Sequence, residues 1–115
     1  MRRQFTRLAL TAILTLAHQA ARADVVLYGE VERLLTRADG MVFVKLNQPA
    51  PAPGQASCST SITWHGALQL SGTGPTAMLA NLLTAKATHE IVALHLFGGC
   101  SVEPTVETIY IVDQQ

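Results

Sequence analysis

A mainly β domain with one helix, in the order strand, strand, strand, helix, strand, strand, is the fold class this sequence predicts. Three observations carry it. Short runs rich in β-branched and aromatic residues are separated by glycine and proline breaks. The apolar period changes from two to three-and-four once only, after Pro75. Two cysteines, Cys58 and Cys100, lie in a chain whose first residues read as an export signal, and exported cysteines pair by default.

That signal is MRRQFTRLALTAILTLAHQAARA: Arg2, Arg3 and Arg7 form a basic head, Leu8 to Ala17 an apolar run, and Ala21-Arg22-Ala23 a small-x-small ending. The pattern predicts a secretory peptide over residues 1–23, cut between Ala23 and Asp24. A membrane anchor needs about 20 consecutive apolar residues, and His18, Gln19 and Arg22 interrupt the run well before that. Residues 24–115 remain, enough for one small domain.

Strand 1 is read over Val25 to Leu35, with Gly29 marking a bulge or bend. Ala38-Asp39-Gly40 turns the chain into strand 2, Met41 to Asn47, where Val42, Val44 and Leu46 alternate with Phe43, Lys45 and Asn47. Gln48 to Ser57 carries three prolines and predicts an exposed loop leading to Cys58. Strand 3 follows over Ser61 to Leu70, with Ile62, Trp64, Gly66, Leu68 and Leu70 on one side and His65 on the more polar other side. The alternation makes Trp64 a core anchor.

Ser71 to Pro75 breaks that strand, proline being suited to a first helical turn. The helix runs from Thr76 to near Thr88, with Met78, Leu79, Leu82, Leu83 and Lys86 forming one stripe. Glu90 to Phe97 is strand 4, Gly98-Gly99 ends it, and Thr105 to Asp113 is strand 5. A single helix between the third and fourth of five strands is the layout of the OB-fold, a Greek-key barrel.

The mature part keeps Arg33, Arg37, Lys45 and Lys86 against Asp24, Glu30, Glu32, Asp39, Glu90, Glu103, Glu107 and Asp113, a net charge of about −4. Four scattered cations on an acidic domain exclude nucleic acid as a partner class. Cys58 with His65 has the residue types of a thiol–imidazole nucleophile, but a partner cysteine in an oxidising space consumes the thiol. The expected bond Cys58–Cys100 staples the approach to strand 3 to the loop between strands 4 and 5.

His65, His89 and His95 have no metal-site spacing, and Glu30 with Glu32 reads as a solvated strand face more readily than as an acid–base pair. Phosphate-loop, nucleophile-elbow and zinc-protease motifs are absent from the sequence. The expectation is therefore a protein without catalytic residues, metal or cofactor.

Cys58-Ser59, Trp64 with Ala67, the Leu-rich helix containing Leu79 and Ala85, the strand Glu90-Ile91-Val92-Ala93-Leu94-His95-Leu96 and the closing Cys100 resemble exported OB-fold proteins. These include the receptor-binding B subunits of AB5 toxins, and the nearest type is the subtilase cytotoxin B subunit. The resemblance implies a disulfide-bonded OB-fold, homopentamers, an A-type partner subunit and glycan binding without catalysis. It carries over no sugar-binding residue, because several sugar contacts of that type precede strand 1, whereas here the mature chain starts with that strand. Small periplasmic OB-fold proteins are similar through Tyr28-Gly29-Glu30-Val31 and Asp39-Gly40. The sequence thus predicts an exported, periplasmic or secreted binding protein for a glycan or a protein surface. The alternative is a monomeric periplasmic module for a cationic ligand or an envelope partner, and an enzyme working through Cys58 is the third reading.

Overall fold

The computed structural model of the protein describes residues 25–115; the expected signal peptide and its cleavage site at Ala23 and Asp24 lie outside them. The described chain forms β1 (Val26–Thr36), β2 (Met41–Leu46), β3 (Gly66–Gln69), α1 (Thr73–Thr88), β4 (Ile91–Leu96) and β5 (Ile109–Gln114). The five strands make one open antiparallel sheet in the order β3-β2-β1-β4-β5.

β1 is long enough to serve both halves of the sheet. Its first part pairs with β4, from Val26 opposite His95 to Glu30 opposite Ile91. Its second part pairs with β2, from Val31 opposite Leu46 to Thr36 opposite Val42, and the register shifts between Val31 and Arg33. Glu32 is the extra residue there, and such a bulge bends and twists the strand. The β1–β2 turn needs Gly40, which adopts φ 87°, while Asp39 accepts the Met41 N–H at 3.2 Å.

The main core gathers the inner face of the sheet: Leu27 and Val31 from β1, Val42, Val44 and Leu46 from β2, Leu68 from β3, Val92, Leu94 and Leu96 from β4, Ile109 and Val112 from β5. Leu82 and Ala85 of α1 are buried in it, with Met78 and Leu79 partly so. The stripe read from the sequence needs one correction: Leu83 is 53% exposed and Lys86 is exposed. A buried stripe of Met78, Leu79, Leu82 and Ala85 is narrower, because one helix packs on one side of the sheet. The helix also starts three residues earlier than expected, with Pro75 inside its first turn.

α1 ends at His89, which holds φ 58° and ψ 32° and donates its backbone N–H to the Ala85 carbonyl. Left-handed backbone suits glycine and costs other residues about 1 kcal/mol. His89→Gly is therefore expected to raise stability by about 0.5–1 kcal/mol, since the His89 side chain is exposed. Thermal unfolding checks it; an unchanged or lower Tm contradicts it.

Strand 3 is much shorter than Ser61 to Leu70. Ser61 Oγ accepts the N–H groups of Thr63 (3.2 Å) and Trp64 (3.0 Å), a local turn that takes this stretch out of the ladder until His65 N–H reaches the Val44 carbonyl at 2.8 Å. The alternation that put Ile62 and Trp64 with Leu68 therefore fails. Ile62 is 83% exposed, and Trp64 packs on the opposite side of the sheet from Leu68, beside Phe43 at a ring separation of 5.7 Å.

That opposite side carries a second small core: Met41, Phe43, Ala67 and Val106, bordered by Trp64 and Val102. Val102 and Val106 belong to the β4–β5 connection, which folds over the outer face of β2 and β3. This connection also shortens strand 5, whose expected first residues Thr105 to Glu107 lie outside the ladder. Ala67 and Thr108 form a single parallel bridge between the β3 and β5 sides, with Ala67 N–H donating to the Glu107 carbonyl at 2.9 Å. Gly66 is required there: a Cβ on it would stand 2.5 Å from Ile109 Cγ1.

Candidate binding face

Cys58 and Cys100 form the expected disulfide, with Cα atoms 6.1 Å apart, and no free cysteine is present among the described residues. The bond ties the β2–β3 connection to the β4–β5 connection. Backbone bonds from Thr60 and Ser61 N–H to the Thr105 carbonyl, at 3.0 and 3.2 Å, join the same two segments.

His65 is the main correction. The sequence places it on a polar outer face; in the structure it is fully buried. Its Nδ1 accepts the Leu46 N–H at 3.0 Å, and its Nε2 lies 3.0 Å from the Pro49 carbonyl. A nitrogen that accepts cannot carry the proton, so Nε2 holds it and donates to Pro49. The ring nitrogens are thus engaged with the backbone at the end of β2 and in the β2–β3 connection. That connection is not wholly exposed either, since Ala52 is buried in the main core.

Burial pushes the His65 imidazole below its ordinary value of 6.5, against the opposing pull of the Pro49 carbonyl. The folded state therefore resists a proton that the unfolded state accepts. The stability due to neutral His65 is complete above pH 6.5, declines as pH falls below it, and stops declining below the folded pKa. Urea midpoints measured against pH are expected to drop in that window, and a His65→Gln variant to lose that part of the dependence. An identical profile in the variant contradicts the assignment.

Beside His65 lies a polar hub that the sequence did not reveal. Glu107 is fully buried: its Oε1 accepts Ala56 N–H at 2.7 Å and Gln55 Nε2 at 3.2 Å, and its Oε2 accepts Gly98 N–H at 3.2 Å. Gln55 Nε2 also lies within hydrogen-bond distance of Ser59 Oγ and the His65 carbonyl, and its Oε1 accepts Ala52 N–H. Every buried side-chain nitrogen or oxygen among the described residues has a partner. The hub holds loops together, with Glu107 and Ser59 buried and Gln55 half-buried.

The other singled-out residues stay apart. His89 caps the helix and His95 lies mid-strand in β4; among the described residues no group of three or more His, Cys, Asp or Glu is gathered as a metal site. Glu32 is bound to Lys45 Nζ at 2.7 Å, which lowers its pKa, whereas Glu30 stands opposite Ile91. Arg33 lies over the Trp64 ring at 5.0 Å and Arg37 over Phe43 at 5.3 Å, with Arg37 also paired to Asp39 at 2.6 Å. Trp64 is thus a lid on the second core, roofed by a cation.

The side of the sheet left open is the outer face of β1, β4 and β5. Register and alternation put Val26, Tyr28 and Glu30 of β1 on it, then Ile91, Ala93 and His95 of β4, then Ile111 and Asp113 of β5. The register shift between His95 and Leu96 turns Tyr110 outward near Phe97, with ring centroids 6.3 Å apart, and His95 lies edge-on to Tyr110 at 6.1 Å. Tyr28 and Phe97 are each 60% exposed, and Ile91, Tyr110 and Ile111 are exposed too. Ala93 lies between Tyr28 and Asp113 and is buried beneath the neighbouring side chains.

No family model matches the chain, and neither a curated protein nor a solved structure does. The functional reading therefore rests on the residues themselves. Among the described residues no helix is long and apolar enough to cross a membrane.

Proposed function

We propose that this chain is an exported, non-enzymatic binding protein, similar in plan to the toxin B subunits, whose ligand face is the outer side of β1, β4 and β5. The observation that carries the reading is the set of exposed apolar side chains, Tyr28, Ile91, Phe97, Tyr110 and Ile111, on one sheet face. Contiguous apolar surface rimmed by polar groups marks interaction sites. We further read the sheet as rolling toward an OB-type barrel. Support comes from the sharing of β1 by both halves, the parallel bridge at Ala67 and Thr108, and the tight approach of Ile109 to Gly66. OB-folds commonly bind over strands 2 and 3; here Trp64, Val102 and Val106 cover the outer side of those strands, which directs the choice to the uncovered β1–β4–β5 part of the same outer side.

The ligand is a glycan or a protein surface, and flat aromatic rings suit either by stacking or by apolar contact. Protein produced from the full chain in an exporting host is expected to begin at Asp24 and to bind on a glycan array or capture a protein. Tyr28→Ser and Phe97→Ser are expected to weaken that binding at least about tenfold while folding is kept. Binding that survives both substitutions places the site elsewhere. The second reading, a monomeric periplasmic module for a cationic ligand or envelope partner, is favoured by Glu30 and Asp113 on the same face. Light scattering separates the two, since the toxin-like reading requires a ring oligomer.

A further inference from the structure

We infer that the β1–β4–β5 face takes an extended cationic polypeptide segment, with its lysine or arginine side chains reaching Glu30 and Asp113 across the aromatic strip. This rests on the reading that the face is the ligand site, and it names what the site selects.

The charges are distributed unevenly over the fold. Arg37 is paired with Asp39, Lys45 with Glu32, Arg33 lies on Trp64, and Lys86 is on α1. No lysine or arginine occurs in Val26–Glu30, β4 or β5. Glu30 and Asp113 are in no ion pair among the described residues, although Asp113 accepts the Gln115 amide at 3.2 Å. The two carboxylates on the apolar face are therefore complementary to a cation from outside the chain, whereas the acidic residues near β2 already have theirs. An anionic ligand meets repulsion here.

The aromatic residues fit the same ligand class. Tyr28, Phe97 and Tyr110 offer ring faces and edges to an apolar stem and a cationic head, and a lysine or arginine side chain carries both. The polar groups that the strands place on the strip are two carboxylates, the His95 imidazole and the phenols of Tyr28 and Tyr110, a set richer in acceptors than in donors. A neutral sugar offers donors and acceptors in similar number, while an ammonium or guanidinium offers donors alone.

Spacing gives the ligand's pattern. Glu30 and Asp113 lie two strands apart and one same-face step out of line, which puts their β-carbons about 12 Å apart. An extended chain rises about 3.4 Å per residue and returns to the same face every second residue, so cations four residues apart span the pair.

The test is an ¹⁵N-resolved titration of protein recovered from an exporting host, with an oligolysine peptide and, separately, a neutral oligosaccharide. Expected are shifts confined to amides around Tyr28, Glu30, Ile91, His95 and Asp113 with oligolysine. Affinity should fall about fivefold to tenfold in Glu30→Gln or Asp113→Asn and further in Asp113→Lys, and weaken as salt rises past about 0.15 M. Oligolysine shifts elsewhere, or affinity unchanged in the variants, overturn the proposal. Shifts of these amides by the neutral oligosaccharide alone overturn the cationic ligand and leave the binding face standing. No shift with either probe, and none with the partners captured in the preceding test, overturns both.

Discussion

Replacing Cys58 and Cys100 together by alanine is expected to lower the unfolding free energy by about 4 kcal/mol, the chain-entropy value for a loop closed over this length. Domains of this size hold about 5–15 kcal/mol in total, so the variant keeps little reserve. The effect has a location as well as a size. The disulfide joins two connections that contribute no strand, and few other contacts hold them: the Thr60 and Ser61 bonds to Thr105, the Glu107 hub, and the small core of Met41, Phe43, Ala67 and Val106. Without the crosslink these are the first bonds to open, and amide exchange around residues 56–65 and 98–108 should accelerate before that of β1 and β4. Urea denaturation of the oxidised protein against the double variant measures the size. A loss below about 1 kcal/mol shows that the reduced, unfolded chain is already held together by other structure.

The fold was legible where local pattern and local geometry agree. β1, β2, β4 and the helix fall within a few residues of their expected bounds because each has a period of its own, and the Asp39-Gly40 turn fixes the first hairpin. Strand 3 misled for a physical reason. Ile62, Trp64, Gly66, Leu68 and Leu70 do alternate, but Ser61 Oγ offers the backbone of Thr63 and Trp64 a competing partner, so the period is interrupted after it begins. One change in phase then sends His65 inward and moves Trp64 to the other side of the sheet. The disulfide was legible from the cysteine count and the export signal that the sequence predicts. The second core was not, since it requires residues from β2, β3 and the β4–β5 connection, and no local period records that meeting.

The candidate face was legible only in fragments. Tyr28, Ile91, His95 and Tyr110 each read as ordinary strand residues, and their common exposure depends on the register of three strands. The outward turn of Tyr110 depends further on the bulge between His95 and Leu96. The uneven placement of charge follows the same logic. A net of about −4 over residues 24–115 says only that acid exceeds base there; the register decides that Glu32 meets Lys45 while Glu30 meets Ile91.

Glu107 was invisible for the opposite reason, since a glutamate at a strand's edge reads as solvated. Its removal is expected to have an effect comparable to loss of the disulfide: Glu107→Ala should destabilise the protein by about 3–5 kcal/mol, because buried donors lose their acceptor and a cavity remains. The donors are Ala56 N–H, Gly98 N–H and the Gln55 amide, which come from both connections, so no single local shift can satisfy all of them. Glu107→Gln separates the hydrogen-bonding role from the packing role. If the glutamine keeps its carbonyl where Oε1 accepts two bonds, its amide faces Gly98 N–H, donor against donor, and the cost should fall to about 1–3 kcal/mol. Glu107→Leu fills the volume and leaves the donors unmet, so it should rank close to alanine. The order glutamine, then leucine and alanine, read from urea midpoints, assigns the hub's contribution to acceptance of backbone donors. A leucine variant as stable as the parent would assign it to volume alone.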